Sequence, residues 1–187
     1  VDNYDACYLP DGRIIFSSTA CFVGVPCVYG GSHVANLYLM DGQGKHIRQL
    51  CFDQDHDLHS TVLPNGQVLY HRWDYTGINH IYLRELMLMN PDGTGQMEYY
   101  GANSYWPNAI FFARAIPNHD TKVVSIVTGH HEGRVGDLVV LDRDIDHDYR
   151  QYLERIGIGN VVGVNPAAAN TAATATADVS TKANSSV

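Results

Sequence analysis

No C-x-x-C-H motif occurs in this sequence, nor any C-x-x-C, among its four cysteines Cys7, Cys21, Cys27 and Cys51. Covalent c-type haem attachment, a zinc ribbon and a thioredoxin-like redox motif are therefore not encoded in these residues. Basic residues are few. Twelve Lys and Arg stand against 20 Asp and Glu, a formal charge of −8. A nucleic-acid partner would need a basic footprint, so that function class is set aside. No apolar run approaches the roughly 18 residues of a membrane-spanning helix. The opening VDNYDACYLP has neither the basic nor the apolar region of a signal peptide and no initiator Met, so the ends of the chain do not report its compartment. There is no phosphate-binding Gly loop and no nucleophile elbow. Gly93-x-Gly95 lies in a turn with no helix after it, which fails the context of a dinucleotide fingerprint.

What the sequence does have is a repeat. Leu9-Pro10-Asp11-Gly12, followed by RIIF, returns as Leu63-Pro64-Asn65-Gly66 followed by QVLY. It returns once more, degraded, as Ile116-Pro117-Asn118 followed by KVVSIV. The prolines at 10, 64 and 117 are 54 and 53 residues apart. A second marker runs in step with the first: Leu37-Tyr38-Leu39-Met40-Asp41, Leu86-Met87-Leu88-Met89-Asn90 and Leu138-Val139-Val140-Leu141-Asp142.

Each unit reads as β-structure. Pro-Asp-Gly and Pro-Asn-Gly are turn chemistry, with Pro presetting the first turn position and Gly accepting a positive φ. The second marker is strand, Gly-containing turn, strand, which is a hairpin pattern. About four strands in a unit of about 50 residues is the size of a β-propeller blade. The expected fold is therefore all-β, a propeller segment of three four-stranded blades over residues 1–143. A short helix is expected over 144–160, where Asp144 and Asp146 suit an N-terminal end. Residues 161–187 are dominated by Ala, Thr, Ser and Asn and are expected to be a disordered tail. Three blades do not close a ring of about 4–8, so the segment is expected to belong to a larger propeller or to be completed by a partner or a second copy. A single irregular β-sandwich is the competing architecture; it leaves the repeat unexplained.

The strings YDACYLPDGRIIFSSTACFVGVPC, NLYLMDGQGKHIRQLCFDQDHD, MNPDGTGQMEYYGANSYWPN and IVTGHHEGRVGDLVVLD resemble the middle domain of hydrazine synthase alpha-subunit-like proteins, over roughly residues 4–142. The repeats more distantly resemble TolB-type propellers. The resemblance implies a propeller that acts as scaffold around haem centres carried elsewhere, and an extracytoplasmic, periplasmic setting. The implied partners are the remaining blades or haem-bearing domains of a larger protein.

Three clusters are candidates for chemistry. Asp53-Gln54-Asp55-His56-Asp57-Leu58-His59 concentrates carboxylates and imidazoles, and Asp55, His56 and Asp57 are candidate ligands for a divalent metal, Ca²⁺ or Zn²⁺. The same aspartates equally suit capping of turns and tying blades together. His130 and His131, between Gly129 and Gly133, are candidates for the same metal, or a hydrogen-bonded polar loop. Asn103, Tyr105 and Trp106 combine an aromatic wall with amide groups, as a ligand pocket does; Tyr105 and Trp106 equally suit inter-blade core. Arg72 can pair with an Asp of a neighbouring loop or with an anionic ligand. Cys21 and Cys27 enclose a turn-prone FVGVP loop and are a candidate disulfide; as free thiols they would be small buried apolar residues. The functional reading is a non-catalytic scaffold or interaction module. Its alternatives are a fragment of a metal- or haem-dependent redox enzyme, and a sugar- or peptide-binding propeller.

Overall fold

Each Pro-Asp-Gly or Pro-Asn-Gly turn joins the first two strands of a blade. Gly12 N–H donates to Leu9 C=O and Gly66 N–H to Leu63 C=O, with φ of +86° and +84° at the two glycines. A side chain there would sit in the left-handed region that L-residues resist. The third turn solves the same problem differently. His119 N–H donates to Ile116 C=O and Asn118 takes the positive φ, +63°. Ile116 N–H then reaches Lys122 C=O, whereas Leu9 N–H reaches Arg13 C=O. The loop is two residues longer, which is why the third repeat looks degraded.

In a computed structural model, residues 1–75, 84–101, 109–129 and 135–144 are described. Except for Asp144, the helix and tail expected over 144–187 lie outside them. The first blade is β1 (Asn3–Tyr8), β2 (Ile14–Ser18), β3 (Asn36–Met40) and β4 (Arg48–Gln49), antiparallel in sequence order. The second is β5 (Asp57–Val62), β6 (Val68–Trp73), β7 (Arg84–Met89) and β8 (Met97–Tyr100). The third contributes β9 (Ala109–Ala115), β10 (Lys122–Thr128) and β11 (Asp137–Asp142). One parallel bridge, Arg84 to Ala109, links the second and third blades. The expected all-β propeller segment is what the chain forms.

The period-two alternation of each strand feeds two cores. From β6 and β7, Val68, Tyr70, Met87 and Met89 face the first blade, where they meet Ile15, Leu37 and Leu39. Leu69, Leu86 and Leu88 point the other way and meet Val123, Val139 and Leu141 of the third blade. Each such side chain removed from water contributes about 1.5–3 kcal/mol, so the blades are joined face to face by apolar packing.

The β2–β3 connection is organised by its own backbone. Val25 N–H donates to Ser32 C=O, Gly30 N–H to Val25 C=O, and residues Pro26–Val28 form a 3₁₀ turn. This arrangement does not bridge Cys21 and Cys27. All four cysteines are free thiols: Cys27 is exposed on the turn, and Cys21 Sγ lies 3.2 Å from Val34 C=O. Cys51 is fully buried, and Cys7 packs half-buried against the same core.

Candidate functional site

The β4–β5 loop carries the aspartate-rich cluster into the seam between the first two blades, where β6 places Arg72. Arg72 Nε donates to Asp57 Oδ1 at 3.0 Å and Nη2 to Asp53 Oδ2 at 2.5 Å. Nη2 also reaches Tyr70 Oη at 3.1 Å and Gln96 Oε1 at 3.0 Å. Asp57 is held from its other side by Asn36 Nδ2 at 3.3 Å, and Gln49 Nε2 donates to Asn36 Oδ1 at 3.1 Å. Gln96 closes the seam by donating to Leu50 C=O at 3.1 Å. Side chains of both blades thus form one network around one guanidinium, whose planar fork suits two carboxylates at once.

The electrostatics follow from burial. Burial raises the Asp57 carboxyl well above its ordinary range; Arg72 opposes that push and the Asp53 charge adds to it. Burial works against the Arg72 charge, but Asp57, Tyr70 and Asp53 outweigh it and the guanidinium is held more firmly protonated. Burial also drives the Cys51 thiol up, with the Asp57 charge adding to the effect. Near the start of β7, opposite Arg72 in the strand register, burial pushes Glu85 up to about 8, helped by the charge of Asp74, a hydrogen bond to it, and the charge of Glu98.

Of the candidate metal ligands, Asp55, His56 and Asp57 turn to three separate partners. Asp55 Oδ2 accepts from Tyr75 N–H at 2.7 Å. His56 Nδ1 accepts from Ala35 N–H at 3.1 Å, and its ring stacks on Trp73 at 5.5 Å. Asp57 belongs to Arg72 and Asn36. The group whose donor atoms do converge among the described residues is Cys51, Asp53 and Asp57. It fits a cation poorly. The Arg72 guanidinium already bonds both carboxylates, and a metal-binding cysteine must lose the proton that burial holds on Cys51. His130, His131, Asn103, Tyr105 and Trp106 lie outside the described residues.

A second row of side chains escaped the motif reading. Asp5, His59 and Phe112 each have positive φ, 51°, 56° and 55°, at a bulge in the first strand of a blade. Each precedes its turn proline by five residues, so they are one repeat position. The first strands lie against one another, β1 on β5 and β5 on β9. His59 Nδ1 is accordingly 2.9 Å from Asp5 Oδ2, and its ring lies 4.2 Å from that of Phe112. The signal was the spacing to the prolines, hidden because the residue type changes at every repeat.

Three antiparallel blades stacked face to face, first strands together, define the chain as a segment of a β-propeller. Among solved structures, the fold is similar to hydrazine synthase of Kuenenia stuttgartiensis, with a TM-score of 0.59 and 19% identity. It is also similar to TolB of Agrobacterium tumefaciens, with a TM-score of 0.52 and 15% identity. The matches cover 71% and 77% of this chain but only 20% and 47% of those chains. No family profile and no curated protein sequence matches. The expected likeness to hydrazine synthase and TolB propellers is thus present in the fold.

Proposed function

We propose that this chain is a non-catalytic scaffold, a run of propeller blades that packs against further blades or haem-bearing domains of a larger extracytoplasmic assembly. The observation that carries the reading is the Arg72 network. The polar side chains best suited to bind a metal or an anion are engaged in holding two blades together. The extracytoplasmic setting rests on the resemblance to hydrazine synthase alpha-like and TolB-type propellers. Among the described residues no helix is long and apolar enough to cross a membrane.

The test is titration of the purified chain with Ca²⁺ and Zn²⁺ by calorimetry, with thermal melts in chelator alongside. A scaffold gives no saturable binding and an unchanged melting temperature. Saturable stoichiometric binding with a raised melting temperature overturns the reading in favour of a metal-dependent enzyme.

A further inference from the structure

From Ile14 to Met40 the sequence contains no Asp, Glu, Lys or Arg, in a chain with a formal charge of −8. The β2–β3 connection lies within this stretch. It runs from 19 to 35, while the equivalent connections of the other two blades run from 74 to 83 and from 129 to 136. The added length forms a closed finger. Gly24 bridges to His33, and a Cβ on Gly24 would lie 2.9 Å from Gly30 Cα, so the neck closes on two glycines. The root is anchored in the blades. Val25 and Val34 pack with Trp73 of β6, and Ala35 N–H donates to His56 Nδ1.

The surface of the finger is apolar for no reason internal to the fold. Phe22, Val23, Val28 and Tyr29 each lie within two residues of the Gly24–Gly30 contact. All four are exposed, Phe22 at 66% and Tyr29 completely. Phe22 and Tyr29 also hold left-handed backbone, with φ of +55° and +52°. Gly or Asn suits that backbone better, and a polar side chain suits water better than an aromatic ring. Stability of the chain alone therefore does not account for two aromatics here. The backbone beneath them is bonded internally. The N–H groups of Val25, Val28, Tyr29, Gly30 and Gly31 donate to C=O groups of the same finger, and Pro26 has no N–H to satisfy. A loop in water has no need of this, whereas backbone entering hydrocarbon does.

We infer that this finger docks the protein on a lipid bilayer surface, with Phe22, Val23, Val28 and Tyr29 entering the boundary between headgroups and acyl chains. An aromatic ring with a polar tip, as in Tyr29, is at home at that level. A tip without Asp, Glu, Lys or Arg enters without desolvating an ion. The attachment is apolar and not electrostatic, because anionic headgroups attract basic segments and this chain is acidic. The inference goes beyond the scaffold reading and does not depend on it.

The test is flotation of the whole chain with phosphatidylcholine vesicles, with and without added phosphatidylglycerol, at low and high salt. The wild type is expected to float with the neutral vesicles, equally well in high salt, and no better with the anionic ones. Phe22→Asn and Tyr29→Asn place a residue that accepts left-handed backbone, so the melting temperature is expected to hold. Each is expected to reduce partition about tenfold, the worth of burying one such side chain. Ile47→Asn, at another exposed apolar residue beside β4, is expected to leave partition unchanged. A wild type that does not float overturns the inference and leaves the finger to a protein partner. Binding to anionic vesicles alone, binding lost in high salt, or binding indifferent to both finger substitutions overturns it as well. Metal binding does not enter these readouts, so failure here is distinct from failure of the scaffold reading.

Discussion

His59 and Asp5 hold the same position in successive blades and bond to each other, with His59 Nδ1 2.9 Å from Asp5 Oδ2. Both sit at strand bulges in left-handed backbone. A bulge re-aims the side chain of its strand, and here the re-aimed side chains meet across the blade seam. The apolar faces join the blades broadly. This contact and the Arg72 network fix how they are set against each other.

The pair is expected to act as a unit. His59→Ala and Asp5→Ala should each destabilise the chain, and the double variant should cost less than their sum. A coupling of about 0.5–3 kcal/mol is expected for side chains in direct contact. Urea unfolding of the four proteins measures it, and strict additivity would show that the contact contributes nothing.

Arg72 is expected to be the most sensitive polar residue. Arg72→Met strands the buried Asp57 without its cation, at a cost of about 3–5 kcal/mol. Replacing both partners, Asp57→Leu with Arg72→Met, removes the stranded charge and should cost less than Arg72→Met alone. Denaturation midpoints of the two variants decide the order.

Stability is expected to fall as pH rises. Glu85 titrates at its ordinary 4.5 when unfolded and at about 8 when folded. Between those values the folded chain holds a proton that the unfolded chain has lost, so rising pH favours unfolding across that window. Asp55 and Asp57 are also raised by burial and act in the same sense. Glu85→Gln isolates its share: the pH dependence of its melting temperature should be flatter than that of the wild type between pH 4.5 and 8.

The three blade turns are expected to respond differently to the same probe. Gly12→Ala and Gly66→Ala force a side chain into positive φ and should each cost about 1–2 kcal/mol. Asn118→Gly relaxes the φ of +63° while loosening the unfolded chain, so it should change the melting temperature far less. Melting curves of the three variants test this.

Local chemistry was legible in the residues themselves. Turns, strand order and the number of blades follow from Pro, Gly and period-two alternation, because these act over a few residues and recur with the repeat. Asp53, Asp57 and Arg72 stood out by type, and pairing of Arg72 with a loop aspartate was one of two readings the sequence left open. The choice between them needed tertiary structure: Asp57 and Arg72 lie 15 residues apart in sequence, and only the antiparallel register of β5 on β6 sets them opposite each other. Cys21 and Cys27 are free thiols, one beside Val34 C=O and the other exposed on the turn, a placement that spacing does not encode. Tertiary structure likewise revealed the row of Asp5, His59 and Phe112, because a bulge changes which way a side chain points without leaving a mark on its identity. It also revealed that Leu138, which recurs in pattern with the buried Leu37 and Leu86, is 75% exposed among the described residues: burial depends on what packs against a strand, not on the strand alone.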